Sequence, residues 1–174
     1  LLIAADRGAD HLAQLGLLPD LIIGDDDSQT GTYPGVARVE YPQAKDFTDG
    51  AAALEYAALH AEGLIAIAGA LGGRLDHLLT NIFAPLAIST DLRRWLLLGD
   101  DFTAAYSTGY CRVQGAAGQL VSLIPLSADV AGICLRGLEY SLTNVGVSLG
   151  NSRTVSNVLL GEAAEIYHES GVLL

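Results

Sequence analysis

Pro19-Asp20-Leu21-Ile22-Ile23-Gly24-Asp25-Asp26-Asp27-Ser28 is the stretch on which the reading of this chain turns. Three consecutive apolar residues, two of them β-branched, are too few for a helix. Bounded by proline and glycine, they fit a strand buried on both faces, as in a parallel sheet. The strand then runs straight into three aspartates. Further strand-type runs lie at Leu1–Ala5, Val36–Tyr41, Leu64–Ala68 and Trp95–Leu98. Helical stretches alternate with them. Asp10–Leu17 is closed by Gly16 and Pro19, Asp49–Glu62 has Thr48 as N-cap and Gly63 past its end, and Leu75–Ile88 is interrupted by Pro85. Strand and helix in alternation predict α/β architecture around a parallel sheet.

After Thr103 the texture changes to short alternating segments rich in glycine: Gln119–Pro125, Gly132–Leu142, Val145–Leu149 and Glu165–Tyr167, with a hairpin signal at Glu169-Ser170-Gly171. The expectation is an α/β domain over residues 1–102 and an all-β sandwich over residues 103–174. The chain opens inside a strand and contains no Met, so an element ahead of Leu1 is expected.

With 174 residues, 51% hydrophobic and 17% charged, the chain can bury a sizeable core. Nine basic against 20 acidic side chains give a net charge of −11, which argues against a nucleic-acid partner, since that binding depends on neutralising phosphates with cations. No apolar run is long enough to span a bilayer, and Leu1 has no basic flank or small-residue cleavage site, so the reading is no membrane partner and a cytoplasmic location. Cys111 and Cys134 are expected to be reduced, buried and inert.

Each strand of the first half is followed by acidic or glycine-rich loop: Asp6, then Asp25 to Asp27, then Asp46 and Asp49, then Gly69-Ala70-Leu71-Gly72-Gly73-Arg74-Leu75-Asp76-His77. In an open parallel sheet such loops emerge at the carboxyl ends of the strands, where these folds bind ligands. Carboxylates brought together repel unless a cation sits among them. Mg²⁺ fits that need, with Asp25, Asp27 and Asp49 as protein ligands. An isolated Asp triplet is more often a solvated turn; its place at a strand end and the company of Asp46 and Asp49 favour the metal reading.

Lys45 is the chain's only lysine and abuts Thr48 and Asp49, whose amides open a helix and form an anion site. Gly72-Gly73-Arg74 can bring backbone N–H groups and a guanidinium to a phosphate, although a Gly-Gly pair is more often only a turn. Asp76 and His77 can equally cap the next helix. His11, His60 and His168 are read as structural.

Taken together, Ala5-Asp6-Arg7-Gly8-Ala9, the Pro19–Ser28 stretch, Lys45-Asp46-Phe47-Thr48-Asp49 and Gly72-Gly73-Arg74-Leu75-Asp76-His77 resemble the ordered motif set of the thiamin pyrophosphokinases. In the second half, Ser122–Leu126, Gly137–Leu142, Ser156-Asn157 and Glu169–Leu174 are similar to that family's thiamin-binding β domain. The resemblance implies a nucleotide-binding α/β domain followed by a β-sandwich, a homodimer, and Mg-ATP held at the strand ends. It implies metal binding by Asp25, Asp27 and Asp49, and ATP contacts from Lys45, Asp46, Thr48, Gly72, Gly73, Arg74, Asp76 and His77. Thiamin contacts fall on Ser156 and Asn157, and the reaction on Asp46, Asp49, Arg74 and Asp76.

Arg7 and Asp26 depart from the family's usual residues, and the family's first strand is absent before Leu1. Two other readings stay open, a metal-dependent nucleotide phosphohydrolase and a non-enzymatic thiamin- or nucleotide-binding module.

Overall fold

The computed structural model describes residues 1–25, 30–42 and 44–174. Strand β2 (Leu21–Gly24) shows why its sequence is apolar throughout, for all four residues are buried. It lies between β1 (Ile3–Ala5) and β3 (Ala37–Glu40), both parallel to it, with Ala4 opposite Ile22 and Ile23 opposite Val39. Side chains on a strand alternate between faces, so each face receives its own helix. Ile22 joins Ala4 and Ala9 of α1 (Gly8–Gln14) in one cluster, while Leu21 and Ile23 join Ala52 of α2 (Asp49–His60) in another.

Helix α1 starts two residues before the expected Asp10 and ends at Gln14 rather than Leu17. Its end is a Schellman closure. The Leu17 N–H donates to the Leu12 carbonyl and the Gly16 N–H to Ala13, with Gly16 at φ 72°, a conformation in which a Cβ would be strained. Helix α2 begins as its sequence requires, with Thr48 extended at the N-cap and its Oγ1 accepting from Ala51 N at 3.0 Å.

Strand β4 (Ile65–Ala68) leads into α3 (Leu75–Ile88), then through a 3₁₀ turn (Leu92–Arg94) into β5 (Trp95–Leu98), which pairs in parallel with β4, Ile67 opposite Leu97. The expected parallel sheet therefore comes in two pieces, β1-β2-β3 and the β4–β5 pair. A cavity of about 1060 Å³ is lined by both β1 and β4. Pro85 does not interrupt α3. It stands in the last turn, where its carbonyl accepts from Ser89 N at 3.1 Å, so the helix reaches Ile88 with only one internal N–H forgone.

The chain divides into two compact units, Leu1–Thr103 and Ala104–Leu174, and β6 (Thr103–Ala105) spans the join. In the second unit β7 (Tyr110–Gln114), β9 (Asp129–Arg136), β10 (Leu142–Ser148) and β12 (Ala163–Tyr167) form an antiparallel sheet in the order β10-β9-β12-β7. A two-stranded ladder joins β8 (Leu120–Val121) to β11 (Asn157–Val158). Val130, Ile133, Leu135, Val147 and Ile166 share one core with Leu123, Leu138, Leu159 and Leu173.

The hairpin expected at Glu169–Gly171 does not form. After β12 the chain instead continues beside β9, with Ser170 opposite Ala131, and then crosses to bridge Ser107 and Pro125 through Leu173, which is wholly buried in the core. His168, 1% exposed, fastens this crossing, with Nε2 3.0 Å from Ser107 Oγ and Nδ1 3.2 Å from the Ser170 carbonyl. Cys111 and Cys134 are free and half-buried, and burial pushes the Cys111 thiol up. Among the described residues no helix is long and apolar enough to cross a membrane.

Candidate metal centre

Three connections at strand ends deliver the charges of the site, β1 to α1, β2 to β3 and β3 to α2. Asp6 follows β1, Asp25 follows β2, and Asp49 is the first residue of α2. Carboxylate oxygens of all three lie within 4.8 Å of one another. Lys45 sits among them, its Nζ 2.9 Å from Asp49 Oδ1 and 3.5 Å from Asp25 Oδ2, with only 7% of the side chain accessible. Bonding to Asp49 raises the Lys45 ammonium above its ordinary range, so it is held charged. One ammonium against three carboxylates leaves a negative excess equal to the charge of a divalent cation.

That excess is visible in Asp6. Burial, then the charge of Asp49, push its carboxyl up to about 6. Asp6 Oδ1 is screened from solvent and has no hydrogen-bond donor, a costly state for a carboxylate oxygen unless a cation supplies what the protein does not. The donor set is all oxygen, which suits a hard cation such as Mg²⁺. Asp27, the other expected metal ligand, lies outside the described residues, as does Asp26.

Asp25, Lys45, Thr48, Asp49 and His77 line the same cavity, together with Asp6 and Asn81. Asp46, Gly72, Gly73, Arg74 and Asp76 are exposed and are not part of that lining. Arg74 and Asp76 pair with each other instead, through Arg74 Nε to Asp76 Oδ1 at 3.1 Å and a second contact to Oδ2. Asp76 also accepts from His77 N at 2.9 Å, and the Arg74 hydrogen bond holds its carboxyl down at about 2.

In the second unit Ser156 is exposed and stands in left-handed backbone at φ 60°. Asn157 is 4% exposed, and both its amide oxygen and its amide nitrogen bond to backbone. Oδ1 accepts from Tyr140 N and Val158 N, each at 2.9 Å, and Nδ2 donates to the Tyr140 carbonyl at 2.8 Å. The side chain thus clasps the loop that carries Tyr140.

Three features escaped the reading of residues alone. Asp6 was one acid among several. Asn81 was hidden in an apolar helix, yet its Nδ2 ties the glycine-rich loop to α3 through the Ala70 carbonyl at 3.0 Å; an asparagine amid Leu, Ile and Phe was the available signal. Asp10 stood in a helix with nothing to mark it. Its carboxylate accepts from Thr30 N and Thr30 Oγ1 at 2.9 Å, Gly31 N at 3.0 Å and the Tyr33 hydroxyl, anchoring the chain just beyond the Asp25 loop.

Comparison with known proteins gives two family matches that follow one another along the chain. The family model described as thiamin pyrophosphokinase, catalytic domain, matches residues 1–95, and that described as thiamin pyrophosphokinase, vitamin B1 binding domain, matches residues 111–173. The thiamine pyrophosphokinase of Bacillus subtilis (strain 168) is 29% identical over 182 residues, covering 99% of this chain and 84% of the relative. A crystal structure of the B. subtilis thiamine pyrophosphokinase superposes with a TM-score of 0.88 at 26% identity, over 98% of this chain and 84% of that one. The thiamin pyrophosphokinase family protein from Enterococcus faecalis gives a TM-score of 0.87 at 30% identity, over the same shares of the two chains. With a strand-end carboxylate cluster in one unit, a separate β-rich unit, and both family domains matched in order, the chain belongs to the thiamin pyrophosphokinase family.

Proposed function

We propose that the protein is a thiamin diphosphokinase, which transfers the pyrophosphoryl group of ATP to the hydroxyl of thiamin and releases AMP. The observation that carries this reading is the Asp6/Asp25/Asp49 cluster around Lys45, within a chain that matches both domains of the family. In the reaction the thiamin hydroxyl oxygen bonds to the β-phosphorus of ATP. The bond from that phosphorus to the oxygen bridging it to the α-phosphorus breaks, AMP keeps that oxygen, and the hydroxyl proton is released.

Transfer of so charged a group is mostly a matter of positioning and charge neutralisation. Asp25 and Asp49 are the described residues that would hold Mg²⁺, with Asp27 expected beside them. Bound there, the metal neutralises phosphate charge and orients the polyphosphate. Lys45 keeps Asp25 and Asp49 together and offers its remaining hydrogens to a phosphate oxygen. The α2 start, capped by Thr48, adds oriented N–H groups, and His77 lines the same cavity. Arg74 serves the phosphates by exchanging its exposed partner Asp76 for them, which frees Asp76; either Asp76 or the exposed Asp46 receives the hydroxyl proton.

In the β-rich unit, Ser156 and the loop clasped by Asn157 form the thiamin side of the reading. The enzyme works as a cytoplasmic homodimer. Incubation with ATP, Mg²⁺ and thiamin tests the proposal. AMP and thiamin diphosphate in equal amounts are expected; inorganic phosphate in their place, or binding of both compounds without turnover, would overturn it.

A further inference from the structure

We infer that Asn81 is a positioning residue for the nucleotide phosphates, which it serves by holding the glycine-rich loop at 69–73 in shape beside the start of α2. The inference deepens the proposed function and rests on it. Asn81 lies midway along α3, among Leu78, Leu79, Ile82 and Phe83. Asparagine is a poorer helix former than alanine or leucine, because its amide competes for backbone hydrogen bonds. Here the amide is used outside the helix. Nδ2 donates to the Ala70 carbonyl at 3.0 Å, and since a carbonyl only accepts, this bond fixes which end of the amide faces the loop. The other end stands over α2, where a Cβ on Gly50, the second residue of that helix, would lie 3.5 Å from Asn81 Oδ1.

The loop has little else to hold it. Gly69 and Gly73 are in left-handed backbone at φ 69° and 74°, and a Cβ on Gly69, Gly72 or Gly73 would meet nothing within 4 Å. Among the described residues, no backbone–backbone hydrogen bond joins 69–73 to another element. Glycines lose more conformational freedom on being fixed than other residues, so a loop released from Asn81 would have to be ordered anew at each binding event. Asn81 and His77, one turn apart on α3, both line the cavity that also holds Lys45 and Thr48. One amide thus stands between the two elements that the proposed function gives to the phosphates, the N–H groups opening α2 and the loop leading into Arg74.

The test reads Mg-ATP binding by titration calorimetry without thiamin, so that turnover plays no part. It is run on the parent protein, Asn81→Ala and Lys45→Ala, with melting temperature, amide hydrogen exchange and thiamin affinity measured on each. Alanine favours the helix, and Asn81→Ala is expected to melt within about 3 °C of the parent. Exchange is expected to quicken over 69–73 while α2 and α3 keep the parent's protection. Mg-ATP affinity is expected to fall about 3- to 10-fold, which is what one net hydrogen bond amounts to, with thiamin affinity unchanged. Should Asn81→Ala melt far lower, Asn81→Leu, which keeps the size and lacks the donor, carries the same comparison.

If Lys45→Ala weakens Mg-ATP binding while the Asn81 variant binds like the parent, the inference falls alone. It is equally overturned if the variant loses affinity with exchange over 69–73 unchanged, or with protection lost throughout α2 and α3, since Asn81 would then act elsewhere or only hold the fold. If the parent protein binds no Mg-ATP at millimolar concentration, the proposed function falls with it.

Discussion

Asn157 offers the sharpest contrast between what its motif implies and what its surroundings allow. At 4% exposure, with Oδ1 accepting from Tyr140 N and Val158 N and Nδ2 donating to the Tyr140 carbonyl, it has a single amide hydrogen left to offer a ligand. Asn157→Ala removes three hydrogen bonds and strands the polar groups of a partly buried loop. At about 0.5–1.5 kcal/mol net for each bond, the loss comes to roughly 2–4 kcal/mol. For a chain of this size, each kcal/mol lowers the melting temperature by about 2–4 °C, so a drop of roughly 5–15 °C is expected.

Ser156→Ala is the control. The Ser156 side chain is exposed, and the bond at this position, Ser156 N to Ser122 Oγ at 3.0 Å, uses the backbone and survives the change. Its stability is expected to stay within about 0.5 kcal/mol of the parent, while its thiamin affinity falls. Scanning calorimetry gives the melting temperatures, and titration calorimetry well below them gives thiamin affinity. If Asn157→Ala melts within about 1 °C of the parent and still loses thiamin, the clasp contributes nothing and the amide is a ligand contact after all.

Lys45→Ala, which removes the cation between Asp25 and Asp49, is expected to raise KM for ATP and lower kcat while leaving thiamin binding nearly unchanged; steady-state kinetics and titration calorimetry check both parts. Thr48→Ala deletes the α2 cap at Ala51 N and is expected to cost about 1 kcal/mol, with Thr48→Ser restoring most of it in a denaturant melt. The hydrogen bonds from Tyr33 and Thr30 hold the Asp10 carboxyl well below its ordinary 3.8. A depressed carboxylate stabilises the folded state above that ordinary value and loses the contribution as pH falls below it. Asp10→Asn is therefore expected to lower the melting temperature at pH 7, with the gap from the parent closing as the pH is taken down through 4. A gap that does not change with pH would refute the assignment to charge.

The order of strand and helix in the first hundred residues was legible without coordinates because its signals are local. Leu21–Ile23 is too short and too apolar for anything but a buried strand, and Thr48 and Gly16 mark helix ends by bonds made within a few residues. Pro85 shows the limit of that logic, since a proline is a helix breaker only where the N–H it lacks is needed. The convergence of Asp25 and Asp49 on one place could also be expected, because parallel topology sends successive loops to the same edge.

What the sequence could not decide is how side chains share space and charge across distant segments. That Lys45 faces two carboxylates, that Gly24 makes room for Asp6, and that Arg74 spends its guanidinium on Asp76 are through-space facts. Ser156 and Asn157 are neighbours in the chain, yet one is exposed and the other buried. Ser156 stands in left-handed backbone just ahead of β11, whereas Asn157 opens that strand and packs against the loop around Tyr140, a difference that only the folded chain decides.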